Sequence, residues 1–207
     1  MDSLITEELN HWKQDWIYDT SLYFPEGILV KYSPRTASQS LKLLLIDILL
    51  PNSDLDFLSK KRMIQNIKMH YTSNVKIAVK RDPVDRFISA LNFDYNHWGH
   101  GKFTNTIKCP NDINEVFESG WFNYMFENNK HYFPQTYYLK ESKDYDLIFD
   151  INCLDNLVLF LNSTYFSNYK ISKINSSLKH FQKEMLTDKH LSIIKSKYIL
   201  DYENGWC

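Results

Sequence analysis

Apolar and polar positions along the chain alternate between two periods. Gly27 to Val30 (GILV) is a short apolar run of the kind that forms a buried strand. A polar turn from Lys31 to Ser40 follows, and then Leu41, Leu44, Leu45, Ile48 and Leu49 recur at the spacing of one helix face. Pro51-Asn52-Ser53 is a stop signal for that helix. Asp54 to Gln65 predicts another helix, with Leu55, Leu58 and Met63 available for packing. Val75 to Val79 (VKIAV) predicts a second strand, apolar at 75, 77 and 79, that runs into Lys80-Arg81-Asp82-Pro83. After the proline the pattern predicts a helix from Val84 to Asn92, with Asp82 as its N-cap and Pro83 in its first position.

Phe93 to Asn114 mixes aromatics, His, Gly and Asn, which predicts a long irregular or lid-like region. Glu115 to Lys130 reads as helix, Asp146 to Phe149 (DLIF) as a third short strand, and Leu154 to Leu161 and Asp188 to Tyr202 as helices. Strands alternating with helices define an α/β fold with a largely parallel sheet. In such sheets ligands sit beyond the carboxyl ends of the strands.

Composition narrows the class. With 207 residues and 43% hydrophobic content, the chain can bury one full-sized core, and it carries no repeat, low-complexity block or linker-like stretch. The expectation is a single domain over 1–207. A formal net charge of −1 gives the whole molecule no electrostatic reason to seek nucleic acid or an anionic membrane. Met1 to Trp16 lacks the basic head and apolar run of a signal peptide. The longest apolar stretch, Leu41 to Leu50, is interrupted by Lys42 and Asp47 and is too short to span a bilayer, so no transmembrane segment is expected. Cys109, Cys153 and Cys207 are too scattered for a disulfide framework and form no zinc-type pattern, which suits reduced thiols in a cytoplasmic protein without a metal.

Two loops carry candidate chemistry. The first is Lys31-Tyr32-Ser33-Pro34-Arg35-Thr36-Ala37-Ser38-Gln39-Ser40. A strand, a tight turn of small hydroxyl residues and a helix N-terminus together make an anion site, and Arg35 adds a fork of donors suited to phosphate or sulfate. It is not a Walker A loop, because GxxxxGK[ST] is absent and residues 28–98 contain no glycine. The second loop runs from Arg81 to Asn92, with an arginine at a strand end and Ser89 about two turns into the next helix, a pair suited to holding a second phosphate. Taken singly, each loop is equally well a capped turn with solvated charges.

Together, PxTxSxS after one strand and RDPxxRFxSAxN after a later one resemble the paired motifs of sulfotransferases that use 3′-phosphoadenosine 5′-phosphosulfate (PAPS). The similarity is greatest to the Golgi-type carbohydrate branch, the heparan 2-O-like enzymes. His131-Tyr132-Phe133-Pro134-Gln135 resembles that branch's HWxPQ segment, Tyr145 to Phe149 its late strand, and Tyr198 to Tyr202 (YILDY) its YxxDY, so the resemblance spans about residues 27–202. It implies a three-layer P-loop-like fold with a central, mostly parallel sheet flanked by helices.

The resemblance also implies roles. Pro34, Arg35, Thr36, Ala37, Ser38, Gln39 and Ser40 would wrap the 5′-phosphosulfate, and Arg81 and Ser89 would hold the 3′-phosphate. Arg35 stands where the family usually has lysine; arginine keeps the charge but stays protonated, so it stabilises a leaving group without donating a proton. His70, in Ile67-Lys68-Met69-His70-Tyr71-Thr72-Ser73, is similar to the branch's HGHxS-like histidine and is the candidate base. His97 and His100 are the next candidates, and His131 suits a structural or acceptor-side role. Trp98, Trp121, Tyr132 and Phe133 suit either sugar stacking or the core. The implied co-substrate is PAPS, with no metal, and the implied acceptor is a hydroxyl of a carbohydrate or other small molecule. A nucleotide-dependent kinase of similar fold and a non-catalytic PAP or PAPS binder are the competing readings. Nothing in the sequence speaks to oligomeric state.

Overall fold

The structure, a computed structural model, describes residues 20–49, 59, 73–98, 110–165, 167–171 and 179–207. The chain divides into two compact units, one within Met1–Lys80 and Tyr137–Ile174 and the other within Arg81–Thr136 and Asn175–Cys207. Four strands are described: β1 (Ser21–Phe24), β2 (Ile28–Tyr32), β3 (Val75–Lys80) and β4 (Leu147–Asp150). The principal described helices are α1 (Ser38–Leu49), α2 (Pro83–Trp98), α3 (Ile113–Glu118), α4 (Trp121–Asn128), α5 (Leu154–Tyr165), α6 (Asp188–Lys197) and α7 (Ile199–Glu203).

The first unit holds the sheet, in the order β1-β2-β3-β4. β1 pairs antiparallel with β2, whereas β2 pairs parallel with β3 (Val30 opposite Ile77, Tyr32 opposite Val79) and β3 parallel with β4 (Val79 opposite Phe149). The fold is therefore α/β with an open, mostly parallel sheet. Period-2 alternation sends Leu22, Phe24, Val30, Tyr32, Ile77 and Val79 to one face. There they form a core with Leu41, Leu44 and Leu45 of α1 and Leu157 and Leu161 of α5. Burying each such side chain contributes about 1.5–3 kcal/mol. Asp146 fixes where β4 joins: its side chain accepts the Lys76 N–H at 2.7 Å and its own N–H donates to the Lys76 carbonyl at 2.9 Å.

The second unit is helical. Phe87 and Leu91 of α2 pack with Val116, Phe122, Tyr132, Phe181, Ile194 and Tyr198 in a separate core. Phe87 meets Phe122 and Tyr132 edge-on, with centroids 5.4 and 5.8 Å apart. Two expectations need correction here. The helix starting at Pro83 does not stop at Asn92 but continues to Trp98, so residues 93–98 of the expected irregular region are helical. Tertiary contacts override the polar composition: Asn92 bonds both the N–H and the carbonyl of Phe181, at 2.8 Å each, and Tyr95 stacks on His180 at 3.9 Å. The helix expected from Glu115 to Lys130 is two helices, broken at Ser119-Gly120, where Gly120 has φ +76°.

The other elements follow the pattern, with β2 reaching Tyr32 and α5 reaching Tyr165. The helix expected over Asp188–Tyr202 is interrupted at Tyr198. The expected helix over Asp54–Gln65 lies, apart from helical Ser59, outside the described residues. Among the described residues no helix is long and apolar enough to cross a membrane.

Candidate functional site

β2 and β3 are neighbours and run parallel, so the chain leaves both at the same sheet edge, their carboxyl ends. The first candidate loop leaves β2 there. Ser33 and Thr36 are fully buried, their hydroxyls hydrogen-bond at 2.8 Å, and the Thr36 N–H donates to the Ser33 carbonyl at 3.2 Å. This closes a tight turn around Pro34 and Arg35.

Arg35 (φ +67°) and Ala37 (φ +50°) are both in the left-handed region without being glycine. Each position costs roughly 1–2 kcal/mol, and such strain persists only where the surroundings over-determine it. Left-handed residues in a turn direct successive N–H groups to one side, the geometry that binds anions. The first i to i−4 bond of α1 runs from Leu41 N–H to the Ala37 carbonyl at 3.0 Å. The N–H groups of Ser38, Gln39 and Ser40 thus form the helix's first turn, and Ala37 has no side-chain acceptor to cap them. Pro34, Arg35, Ser38 and Gln39 are half-buried and Ser40 is buried.

The second loop begins at Arg81, half-buried and directly after β3. Asp82 is the N-cap the sequence predicts: its Oδ1 accepts the Asp85 N–H at 2.9 Å. Lys183 Nζ lies 3.4 Å from Asp82 Oδ1 and 3.0 Å from Asp85 Oδ1, so it neutralises the two carboxylates beside Arg81. Partial burial opposes the Lys183 charge, but its hydrogen bonds and attraction to Asp85 and Asp82 leave its pKa above the ordinary lysine value. Ser89, half-buried, lies two turns along α2.

Arg86, five residues beyond Arg81, has a different job. It is fully buried, donates to the carbonyls of His131 (3.1 Å) and Phe133, and lies over the Tyr198 ring at 5.1 Å. That makes it a brace for the His131–Phe133 segment.

The segment braced by Arg86 returns to Arg81. Gln135, fully buried, accepts the Arg81 N–H at 3.0 Å and donates to the Arg81 carbonyl at 2.6 Å. The carboxylate of Asp201, also fully buried, accepts the N–H groups of Gln135 (2.9 Å) and Thr136 (2.8 Å) and the Thr136 hydroxyl (2.9 Å). The RDP, HYFPQ and YILDY segments are thereby one hydrogen-bonded assembly. Sequence reasoning gave Gln135 and Asp201 no role; the signal was their presence in the two softer motifs.

His70 lies outside the described residues, as do His100 and the side chains of His97 and Trp98. His131 stands against the edge of Phe93, its Nδ1 3.9 Å from Asp94, a placement that suits the structural role. Trp121, Tyr132 and Phe133 are 5%, 0% and 8% exposed, so they belong to the core and offer no face to a sugar. No family model, curated protein or solved structure matches the chain.

Proposed function

We propose that this chain is a PAPS-dependent sulfotransferase with a three-layer P-loop-like fold, acting in the cytoplasm on a hydroxyl of a carbohydrate or other small acceptor. The observation that carries the reading is that two adjacent parallel strands each end in an arginine-bearing turn that starts a helix. One turn has the backbone geometry of an anion nest, and the other offers Arg81 and Ser89 for a second anion. PAPS is a nucleotide with anionic groups at both ends of its ribose, and the two motifs resemble those that bind it.

In this mechanism the loop N–H groups and hydroxyls from Pro34 to Ser40 hold the 5′-phosphosulfate. The acceptor oxygen attacks sulfur as His70 takes its proton. The bond from sulfur to the bridging oxygen breaks, its electron pair stays on the departing 5′-phosphate, and Arg35 with the loop donors stabilises that charge. The residues invoked require no metal.

Thermal-shift titration with PAP, AMP and ATP tests the reading. PAP should stabilise the chain strongly and the other two weakly, and Arg81→Ala or Ser89→Ala should abolish the difference. Equal responses to all three nucleotides would remove the 3′-phosphate site and the proposal with it. His70→Ala should leave PAP binding intact and stop turnover; unchanged turnover would take His70 out of the mechanism.

A further inference from the structure

Resting on that reading, we infer that Gln135 and Asp201 are positioning residues that confer selectivity for a 3′-phosphorylated nucleotide by fixing the backbone of Arg81. An arginine at the end of a strand has four side-chain torsions and a peptide free to rotate, so its guanidinium has no intrinsic direction. Gln135 removes the backbone part of that freedom. Its single amide group brackets the residue from both sides, accepting from the Arg81 N–H and donating to the Arg81 carbonyl. A glutamine amide satisfies both at once because it presents an acceptor and a donor in one plane.

The bracket is itself held. Asp201 receives the backbone N–H groups of Gln135 and Thr136 on its two oxygens, and the Gln135 side-chain nitrogen also reaches the Trp206 carbonyl at 3.4 Å. Gln135 and Asp201 are both fully buried, so the bond between them is shielded from water, and an unpaired polar group on either is costly. Asp82, the next residue, is fixed as the α2 cap and paired with Lys183. The Arg81 peptide is therefore locked from 135 and 201 and followed by a capped helix. Preorganisation of this kind raises affinity by reducing what must be ordered on binding.

A purely structural role and a positioning role predict different results. Loss of packing alone weakens every nucleotide equally; loss of Arg81 alignment weakens only those with a 3′-phosphate. The full chain, Arg81→Ala, Gln135→Met, Asp201→Asn and the double variant Gln135→Met/Arg81→Ala are titrated with PAP and with 5′-AMP. Arg81→Ala should cut the PAP-over-AMP preference by about tenfold or more, as expected for one charge-assisted contact. Gln135→Met should cut the same ratio by about fivefold with AMP affinity unchanged, and the double variant should lose no more than Arg81→Ala, since the pair acts through one contact.

If Gln135→Met and Asp201→Asn fold and keep the full preference while Arg81→Ala loses it, the positioning role is overturned and the function proposed above stands. A wild-type chain without the preference, or an Arg81→Ala variant that keeps it, overturns the function itself. Should the buried variants not fold, the unsubstituted chain still decides. Its Arg81 amide must exchange hydrogen slowly without nucleotide, and fast exchange there overturns the inference.

Discussion

Lys31 projects from β2 on the side opposite Val30 and Tyr32, half-buried in a strand whose other members are apolar. Burial, with repulsion from Lys140 and Lys76 outweighing attraction to Asp144, pulls its pKa below the ordinary 10.5. The unfolded chain then binds more protons than the folded one between the lowered value and 10.5, so stability rises with pH across that window. Below it the charged lysine penalises the fold in full. Lys31→Met should raise the melting temperature at neutral pH, and the gain should shrink as pH approaches 10.5. A gain independent of pH would locate the effect in packing instead of charge. Arginine shows the limit of residue-level reading. Arg35, Arg81 and Arg86 are alike in sequence, yet the first two are half-buried at loop positions and the third is fully buried on backbone carbonyls. Side-chain type says what each can bind; burial and partners separate the third from the other two.

Elements were legible where the period is strong and the partner local. The apolar runs at 28–30, 75–79 and 147–149 became β2, β3 and β4, and the cap-plus-proline signal at Asp82-Pro83 became the start of α2. β1 escaped because four residues carry little periodicity; Ser21–Phe24 is a strand by virtue of pairing with β2 across the Pro25–Gly27 turn. The turn at 33–40 was readable as a connection from strand to helix, but its left-handed Arg35 and Ala37 were not, since neither residue type demands that conformation. The Gln135 bracket spans 54 positions and the Asp201 clamp 66, distances at which local pattern is silent. Gly120 is the reverse case, where one residue breaks what reads as one long helix. Its φ is +76°, and a Cβ placed there meets no atom within 4 Å, so a side chain brings backbone strain without a clash. Gly120→Ala should therefore cost about 1–2 kcal/mol in denaturant unfolding, and Gly120→Asn less, because asparagine tolerates the left-handed region. An unchanged midpoint for Gly120→Ala would mean that α3 and α4 are not held apart by this residue's conformation.

At the scale of the molecule, both units are assembled from stretches distant in sequence. The second takes α2, α3 and α4 from Arg81–Thr136 and completes its core with Phe181, Ile194 and Tyr198 from Asn175–Cys207. Residues 81–136 thus lack a finished core without the later stretch. Trp206 belongs to that later stretch and is fully buried. Its backbone N–H donates to the Asp201 carbonyl at 2.8 Å, and its own carbonyl receives the Gln135 amide. Removing the indole leaves a large cavity at a fully buried position, and truncations of that size cost about 3–5 kcal/mol. Trp206→Ala should lower stability by that amount. Because local opening follows the least stable cooperative unit, amide protection should fall across 81–136 and 179–207 before it falls in β2 and β3. Equal loss of protection in the sheet would show that the two cores unfold as one, and unchanged stability would show that the indole contributes little to the second core.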